Sequence, residues 1–216
     1  MELNKYIEHT LLKQDATEKD LVKLYEEAKQ YGFFGVCVNG RNTKNAKNFL
    51  KNTNVKIVTV VGFPLGACSS QTKAFEAKEA VENGADEIDM VINVQALKDN
   101  DLNYAQKDIE TVKKAIGDKV LKVIIETDLL TKEEIVKACE IIKNAKADFA
   151  KTSTGFVKNG IGAKVEDVKL MAQTLNGSNV KIKASGGIKT KEQAVKLIEA
   201  GAVRLGTSSG AALLNG

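Results

Sequence analysis

A single (β/α)₈ barrel is the fold class the sequence predicts, on three observations. Eight short apolar runs alternate with longer amphipathic segments; the runs are apolar almost throughout; and the whole pattern fits into 216 residues. Strands of a parallel sheet covered on both faces read as near-continuous hydrophobic runs, as VKIVTVVGF, IDMVINV and VLKVIIE do here. Eight strand–helix units in this length lie at the compact end of the range for such a barrel. A doubly wound open sheet would show the same alternation, but no GxGxxG follows the first strand, which counts against its dinucleotide-binding form. No linker or low-complexity segment interrupts the chain, so residues 1–216 read as one domain.

Taken in order, strands are expected at 7–11, 34–39, 56–62, 86–93, 120–127, 148–153, 180–185 and 203–207. Helices are expected near 17–31, 42–51, 70–83, 101–116, 131–144, 164–175 and 190–200, with a short one after 208. Thr17 followed by Asp20 and Thr131 followed by Glu134 have capping-box spacing at two helix starts. Gly32, Gly84, Gly117, Gly177 and Gly201 fall just past helices, where a left-handed residue is favoured.

Composition excludes several function classes. Hydrophobic residues are 43% and charged residues 28%, the balance of a globular protein. Lys and Arg total 32 against 28 Asp and Glu, a formal net charge of +4, and no basic run suggests a nucleic-acid partner. Lysines alternate with acids along 17–30 and 131–147, which reads as solvated helix faces. The cysteines, Cys37, Cys68 and Cys139, have no CxxC spacing, and His9 is the only histidine. A zinc centre needs about three or four protein ligands, so no metal or cofactor is expected. MELNKYIEHTLLK lacks the apolar region of a signal peptide, and no apolar stretch is long enough to span a bilayer. Reduced thiols without an export signal or anchor lead to an expectation of the cytoplasm.

Charges inside apolar strands carry the chemistry. Asp89 in EIDMVIN, Lys151 in FAKTSTG and Lys183 in KIKASGG fall on the fourth, sixth and seventh strands. An ionised group in a barrel interior is costly unless paired. The two lysines precede small-residue loops, at the end of the strand where barrel active sites are built. A lysine becomes a nucleophilic amine when burial or a second cation depresses its pKa. One of the two could then form a Schiff base with a carbonyl, while Asp89 moves protons with a bound water. A structural ion pair between Asp89 and one lysine is the plainer reading. Lys122 and Lys181 are further lysines on the same strands' scale of spacing, and spacing does not choose among them.

Strand seven runs into SGGI at 185–188 and strand eight into LGTSSGAAL at 205–213. Glycine-rich turns entering helices offer free N–H groups to an anion, and the loops after strands seven and eight form the usual phosphate site of this fold. Ser208 and Ser209 could add hydroxyl donors. Ordinary tight turns with a serine cap would look similar; a small phosphorylated substrate fits the pair of turns better.

At these residues the chain resembles the deoxyribose-phosphate aldolases. IEHTLLK (7–13), GVCVN (35–39), VVGFPLG (60–66), EIDMVIN (87–93), LKVIIET (121–127), FAKTSTGF (149–156), KASGGI (183–188) and RLGTSSG (204–210) look like that family's successive blocks, in order. The resemblance implies metal-free, reversible cleavage of 2-deoxy-D-ribose 5-phosphate to D-glyceraldehyde 3-phosphate and acetaldehyde, in a homodimer or homotetramer. It implies Lys151 as the Schiff-base lysine, Lys183 as the residue that depresses its pKa, and Asp89 as the proton relay. Gly155, Gly186, Gly187, Gly206, Ser208 and Ser209 match phosphate-holding positions, Glu8 and Thr10 an element near the sugar hydroxyls, and Cys37 a barrel-lining cysteine read as packing. The chain departs from the family pattern in five places, one of them Gln14, which follows Lys13 where a proline is common. Glu8 stands where Asp is usual. Phe156 replaces a lysine that some members place on the phosphate, leaving Lys158 or the backbone to compensate. Residues 157–164 look longer than usual. No tyrosine-ended tail follows Gly216. A Schiff-base aldolase using a different phosphorylated aldehyde, a sugar-phosphate isomerase and a barrel that binds a sugar phosphate without turnover are the other readings.

Overall fold

The computed structural model describes residues 1–215. Eight strands pair in parallel and in chain order: β1 (Ile7–Leu11), β2 (Gly35–Val38), β3 (Lys56–Val61), β4 (Glu87–Val91), β5 (Val120–Ile124), β6 (Phe149–Lys151), β7 (Lys181–Ser185) and β8 (Arg204–Thr207). β8 returns to β1 and closes the barrel, with Glu8 opposite Gly206. Around it lie α1 (Glu18–Tyr31), α2 (Thr43–Phe49), α3 (Ser70–Glu82), α4 (Val94–Lys98), α5 (Leu102–Ile116), α6 (Lys132–Asn144), α7 (Val165–Thr174), α8 (Lys191–Glu199) and α9 (Gly210–Asn215). This is the fold class the sequence predicts.

The first expected strand coincides with the observed one. Most others run one to three residues past the ladder because the apolar sequence continues into loop residues that remain buried, such as Ile92 and Ile125. The helix α4 was not expected: one turn and a half is too short for a 3.6-residue period to register. Both expected capping boxes form, and a third joins Thr190 to Gln193 at the start of α8. Gly32 ends α1 in the left-handed conformation, with its N–H returned to the carbonyls of Ala28 and Lys29.

The main core lies between strands and helices. Outward residues of the strands, among them Ile88, Met90, Leu121, Val123, Ile182 and Leu205, pack against Ala105, Ile109, Val112, Ala138 and Leu197 of the helices. Each fully buried aliphatic side chain there contributes about 1.5–3 kcal/mol. A smaller cluster of Leu12, Cys37, Val58 and Val60, with Phe63 against it, fills the barrel interior beside β2 and β3. Barrel interiors usually hold branched apolar layers all round; here the remaining sector is ionic. One further buried ion pair ties the helical layer together. Lys73 of α3 and Asp108 of α5 meet at 2.5 Å, and neither is exposed to solvent. Among the described residues no helix is long and apolar enough to cross a membrane.

Candidate active site

Side chains alternate across a strand, so residues of one parity on neighbouring strands share the barrel interior. The register sets Asp89 beside Lys122, Lys151 beside Lys183, and Lys183 beside Arg204. Asp89 is the hub of the arrangement. Its Oδ2 accepts from Lys151 at 2.7 Å and from Lys183 at 2.6 Å, while Oδ1 accepts from Lys122 at 2.9 Å. Lys122 also meets Glu87 at 2.6 Å and Glu8 at 3.3 Å. Glu8 in turn accepts from Lys183 through Oε2 and from Arg204 through Oε1 at 3.1 Å. Arg204 lies 3.6 Å from Glu87 and stacks on the ring of Phe34. Gly206 makes room for this packing: a Cβ there would come within 3.1 Å of Lys183 Cε and 3.0 Å of Ser185 Cβ.

Burial and charge divide the lysines into two kinds. Burial depresses the Lys151 amine and Lys183 depresses it further, against the opposing pull of Asp89; the net shift is downward. Burial acts the same way on Lys183 and Lys122. There the carboxylates outweigh it, Asp89 and Glu8 for Lys183, with Glu87 added for Lys122, and both ammonium groups are held above the ordinary lysine value. Burial alone would push the Asp89 carboxyl up, yet the charges of Lys122, Lys151 and Lys183 hold it well below the usual carboxylate range. Burial raises the thiol of Cys37, which packs against the apolar sector.

A cavity of about 220 Å³ opens at the C-terminal mouth. Lys151, Thr10, Gly155, Gly186, Gly187, Gly206, Ser208 and Ser209 line it. Of the three lysines buried in the barrel, only Lys151 reaches this cavity; Lys183, Lys122 and Asp89 sit beneath its floor with no exposed surface. Phe156, stacked edge-on against Phe63 at 5.1 Å, forms an apolar lip. A second cavity of about 400 Å³ opens between β1 and α1 and shares Thr10, Lys13 and Ser208, but none of the buried barrel lysines borders it.

Two carboxylates at the exit of β5 hold the wall carrying Gly155. Glu126 adopts φ 60° and closes on Thr154, accepting its backbone N–H at 3.1 Å and its hydroxyl. Asp128 accepts from the N–H of Gly162 at 2.7 Å and pairs with Lys164 at 3.1 Å. Gly162 lies directly on the backbone of Gly186, where any Cβ would overlap it, and the N–H of Ala163 donates to Gly186 at 3.1 Å. The long 157–164 segment is thereby a buttress for the glycine turn.

The expected residues take these places. Glu8 does not border the cavity: two residues before Thr10 on β1, it is fully buried, and three cations occupy its two oxygens. Lys158 is exposed and does not border the cavity; Lys189, which sequence reasoning passed over, does. Ser209, expected to offer its hydroxyl, lines the cavity, and its amide donates to Thr207 Oγ1 at 2.9 Å. Sequence reasoning also missed Glu87, Arg204 and Glu126, and left Lys122 undecided. The available signal was parity, since Glu87 and Asp89 are two apart on one strand and Lys122 is in register with Asp89. Among the described residues, no three His, Cys, Asp or Glu side chains are grouped to hold a metal ion.

Comparison with known proteins places the chain in a family. The family model described as DeoC/LacD family aldolase matches residues 4–215. The chain is 57% identical over 216 residues to the deoxyribose-phosphate aldolase of Finegoldia magna, covering 100% of both chains. It is 55% identical to that of Streptococcus pneumoniae, covering 100% of this chain and 97% of the relative. A tetrameric deoxyribose phosphate aldolase structure from Aeropyrum pernix superimposes with a TM-score of 0.89 at 31% identity, over 99% of this chain and 89% of that one.

Proposed function

The chain belongs to the DeoC/LacD family of aldolases, and on that footing we propose the reaction its named relatives and its barrel mouth support: aldol cleavage of 2-deoxy-D-ribose 5-phosphate to D-glyceraldehyde 3-phosphate and acetaldehyde, reversibly, through a Schiff base on Lys151. The observation that carries the assignment is the reach of Lys151, the one buried barrel lysine bordering the cavity and the one whose amine is depressed.

The neutral Nζ of Lys151 attacks C1 of the open-chain sugar to give a carbinolamine, which loses water to form the protonated imine. The imine withdraws electrons as the C2–C3 bond breaks and the C3 hydroxyl gives up its proton, releasing glyceraldehyde 3-phosphate and leaving the enamine of acetaldehyde. Protonation at C2 and hydrolysis return the free lysine. Asp89, bonded to both lysines, relays protons with a water, and Lys183 as a fixed ammonium keeps Lys151 neutral. The phosphate is held by the turns at Gly155, Gly186, Gly187 and Gly206 with the hydroxyls of Ser208 and Ser209, and Lys189 supplies a charge. Thr10 meets the sugar hydroxyls. No cofactor or metal takes part.

The tetrameric structure from Aeropyrum pernix supports a homo-oligomer, a dimer or tetramer, which sedimentation velocity would distinguish from a monomer. The cytoplasm is the compartment in keeping with the free thiols of Cys37, Cys68 and Cys139. Borohydride reduction after incubation with deoxyribose 5-phosphate tests the chemistry. The expected adduct is on Lys151, absent from Lys151→Ala and unaffected by EDTA. An adduct on Lys183 would reverse the two lysines, and a folded, ligand-competent protein with no adduct would sink the aldolase reading.

A further inference from the structure

The ion cluster extends well below the catalytic trio. Four cations, Lys122, Lys151, Lys183 and Arg204, are linked through three carboxylates, Glu8, Glu87 and Asp89. Lys122, Lys183, Glu8 and Asp89 have no solvent exposure, and Arg204 has a side-chain exposure of only 12%. Resting on the reading of Lys151 as the Schiff-base lysine, we infer that Glu87 and Arg204, at the closed end of the barrel, are positioning residues that set the protonation state of Lys151 through the charge balance of this cluster.

With every group ionised the cluster carries one uncompensated positive charge away from water, which is costly. Releasing one proton balances it. Guanidinium does not release one. Lys122 touches three carboxylates and Lys183 two, whereas Lys151 is paired with Asp89 alone. Lys151 is therefore the group that gives up the proton, in keeping with the downward shift of its amine and the upward shifts of the other two lysines. The remaining groups facing Lys151 leave this balance intact. The Cys37 thiol is held neutral by burial, and the Glu126 carboxyl, raised by burial, is engaged with Thr154 rather than with a cation. Arg204 and Glu87 have opposite charges in this scheme, so removing either one alone must move Lys151 in opposite directions, and removing both must nearly cancel.

The experiment is borohydride trapping of acetaldehyde on the full-length protein across pH, reading the midpoint at which the Lys151 adduct appears. Glu87→Gln removes a negative charge and is expected to lower the midpoint by about half a pH unit or more, and Arg204→Met to raise it by a similar amount. The double substitution should return it close to the starting value. Arg204→Lys keeps the charge and should leave the midpoint in place, which a purely structural role of the guanidinium would not. Should Arg204→Met fail to fold, Glu87→Gln against Glu87→Asp carries the same comparison. Shifts in the same direction for both single substitutions, or no shift, overturn the inference. Absence of a Lys151 adduct from the unsubstituted protein instead defeats the Schiff-base reading itself, so the two failures are told apart.

Discussion

Asp89 receives Lys151 and Lys183 on one and the same oxygen, Oδ2, at 2.7 and 2.6 Å. A single carboxylate atom thus bridges the depressed amine and the elevated ammonium, and a proton can pass between them with little movement. Asp89→Asn keeps the volume and removes the charge that favours the Lys151 ammonium. Adduct formation on Lys151 should then persist with a lower pH midpoint, while kcat falls by about 10²–10⁴ through loss of the relay. Single-turnover trapping beside steady-state rates would check this; a kcat within tenfold of the original would remove Asp89 from the proton path.

Gly206→Ala places a methyl within 3.1 Å of the Lys183 stem. Overpacking of this kind costs about 1–3 kcal/mol, and here the displaced group is the ammonium beside Asp89. A fall of about tenfold in kcat should accompany the lower unfolding midpoint, with a rise in KM for the phosphorylated sugar because Gly206 also lines the cavity. Denaturant titration and kinetics on the same preparation separate the two effects.

Lys189 borders the cavity and Lys158 does not. Lys189→Ala should raise KM for the phosphorylated sugar by about three- to tenfold, an amount in keeping with one partly screened charge on phosphate. Unphosphorylated deoxyribose should be indifferent to the change, and Lys158→Ala should be silent on both substrates. Equal effects on the two substrates would show that Lys189 does not meet the phosphate.

Glu126 holds the Thr154–Phe156 turn by accepting from Thr154 twice. Removing it as Glu126→Ala strands a half-buried N–H, at a cost of about 1 kcal/mol, and lets the turn drift from the phosphate position. KM for the phosphorylated sugar should rise by about tenfold. Glu126→Gln keeps an acceptor and should recover most of the affinity; failure of that rescue would assign the effect to charge rather than to the turn.

The cluster also sets a pH window for stability. Lys122 and Lys183 have raised values, so their contribution is complete below the ordinary value of 10.5 and is lost as pH climbs through the raised ones. Asp89 and Glu8 have lowered values; their contribution is complete above the ordinary 3.8 and 4.5 and is lost as pH falls through the lowered ones. These four groups leave the melting temperature level between those limits. The depressed Lys151 amine, protonated in the unfolded chain and neutral in the fold, should make it climb as pH rises from that lowered value towards 10.5. Lys122→Met, which leaves Glu87 and Asp89 short of a partner, should cost about 3–5 kcal/mol within the same limits.

The barrel was legible because parallel strands covered on both faces leave an unmistakable alternation, and because Thr17, Thr131 and Gly32 mark helix ends by local hydrogen bonding that sequence alone specifies. Asp89, Lys151 and Lys183 stood out because a charge in an apolar run is conspicuous. Glu87 and Arg204 did not, since each opens its strand and reads as a flanking polar residue. Lys73 was hidden in the same way: a lysine on an amphipathic helix passes for solvated unless its partner Asp108, 35 residues on, is known to lie opposite. Lys189 and Glu126 depend on where loops turn, which short-range pattern does not encode. That Glu8 is buried away from the cavity that Thr10 borders depends on strand stagger rather than on residue type.

The contact between Glu8 and Arg204 spans 196 positions and joins the first strand to the last. As the chain leaves the ribosome, Glu8 emerges 196 positions ahead of its guanidinium partner. Until then Glu8 and Glu87 lack the one cation of the cluster that cannot lose its charge, and the seam between β1 and β8 stands open. Completion of the barrel and burial of the cluster consequently wait on β8, and the surroundings that depress the Lys151 amine are assembled with them.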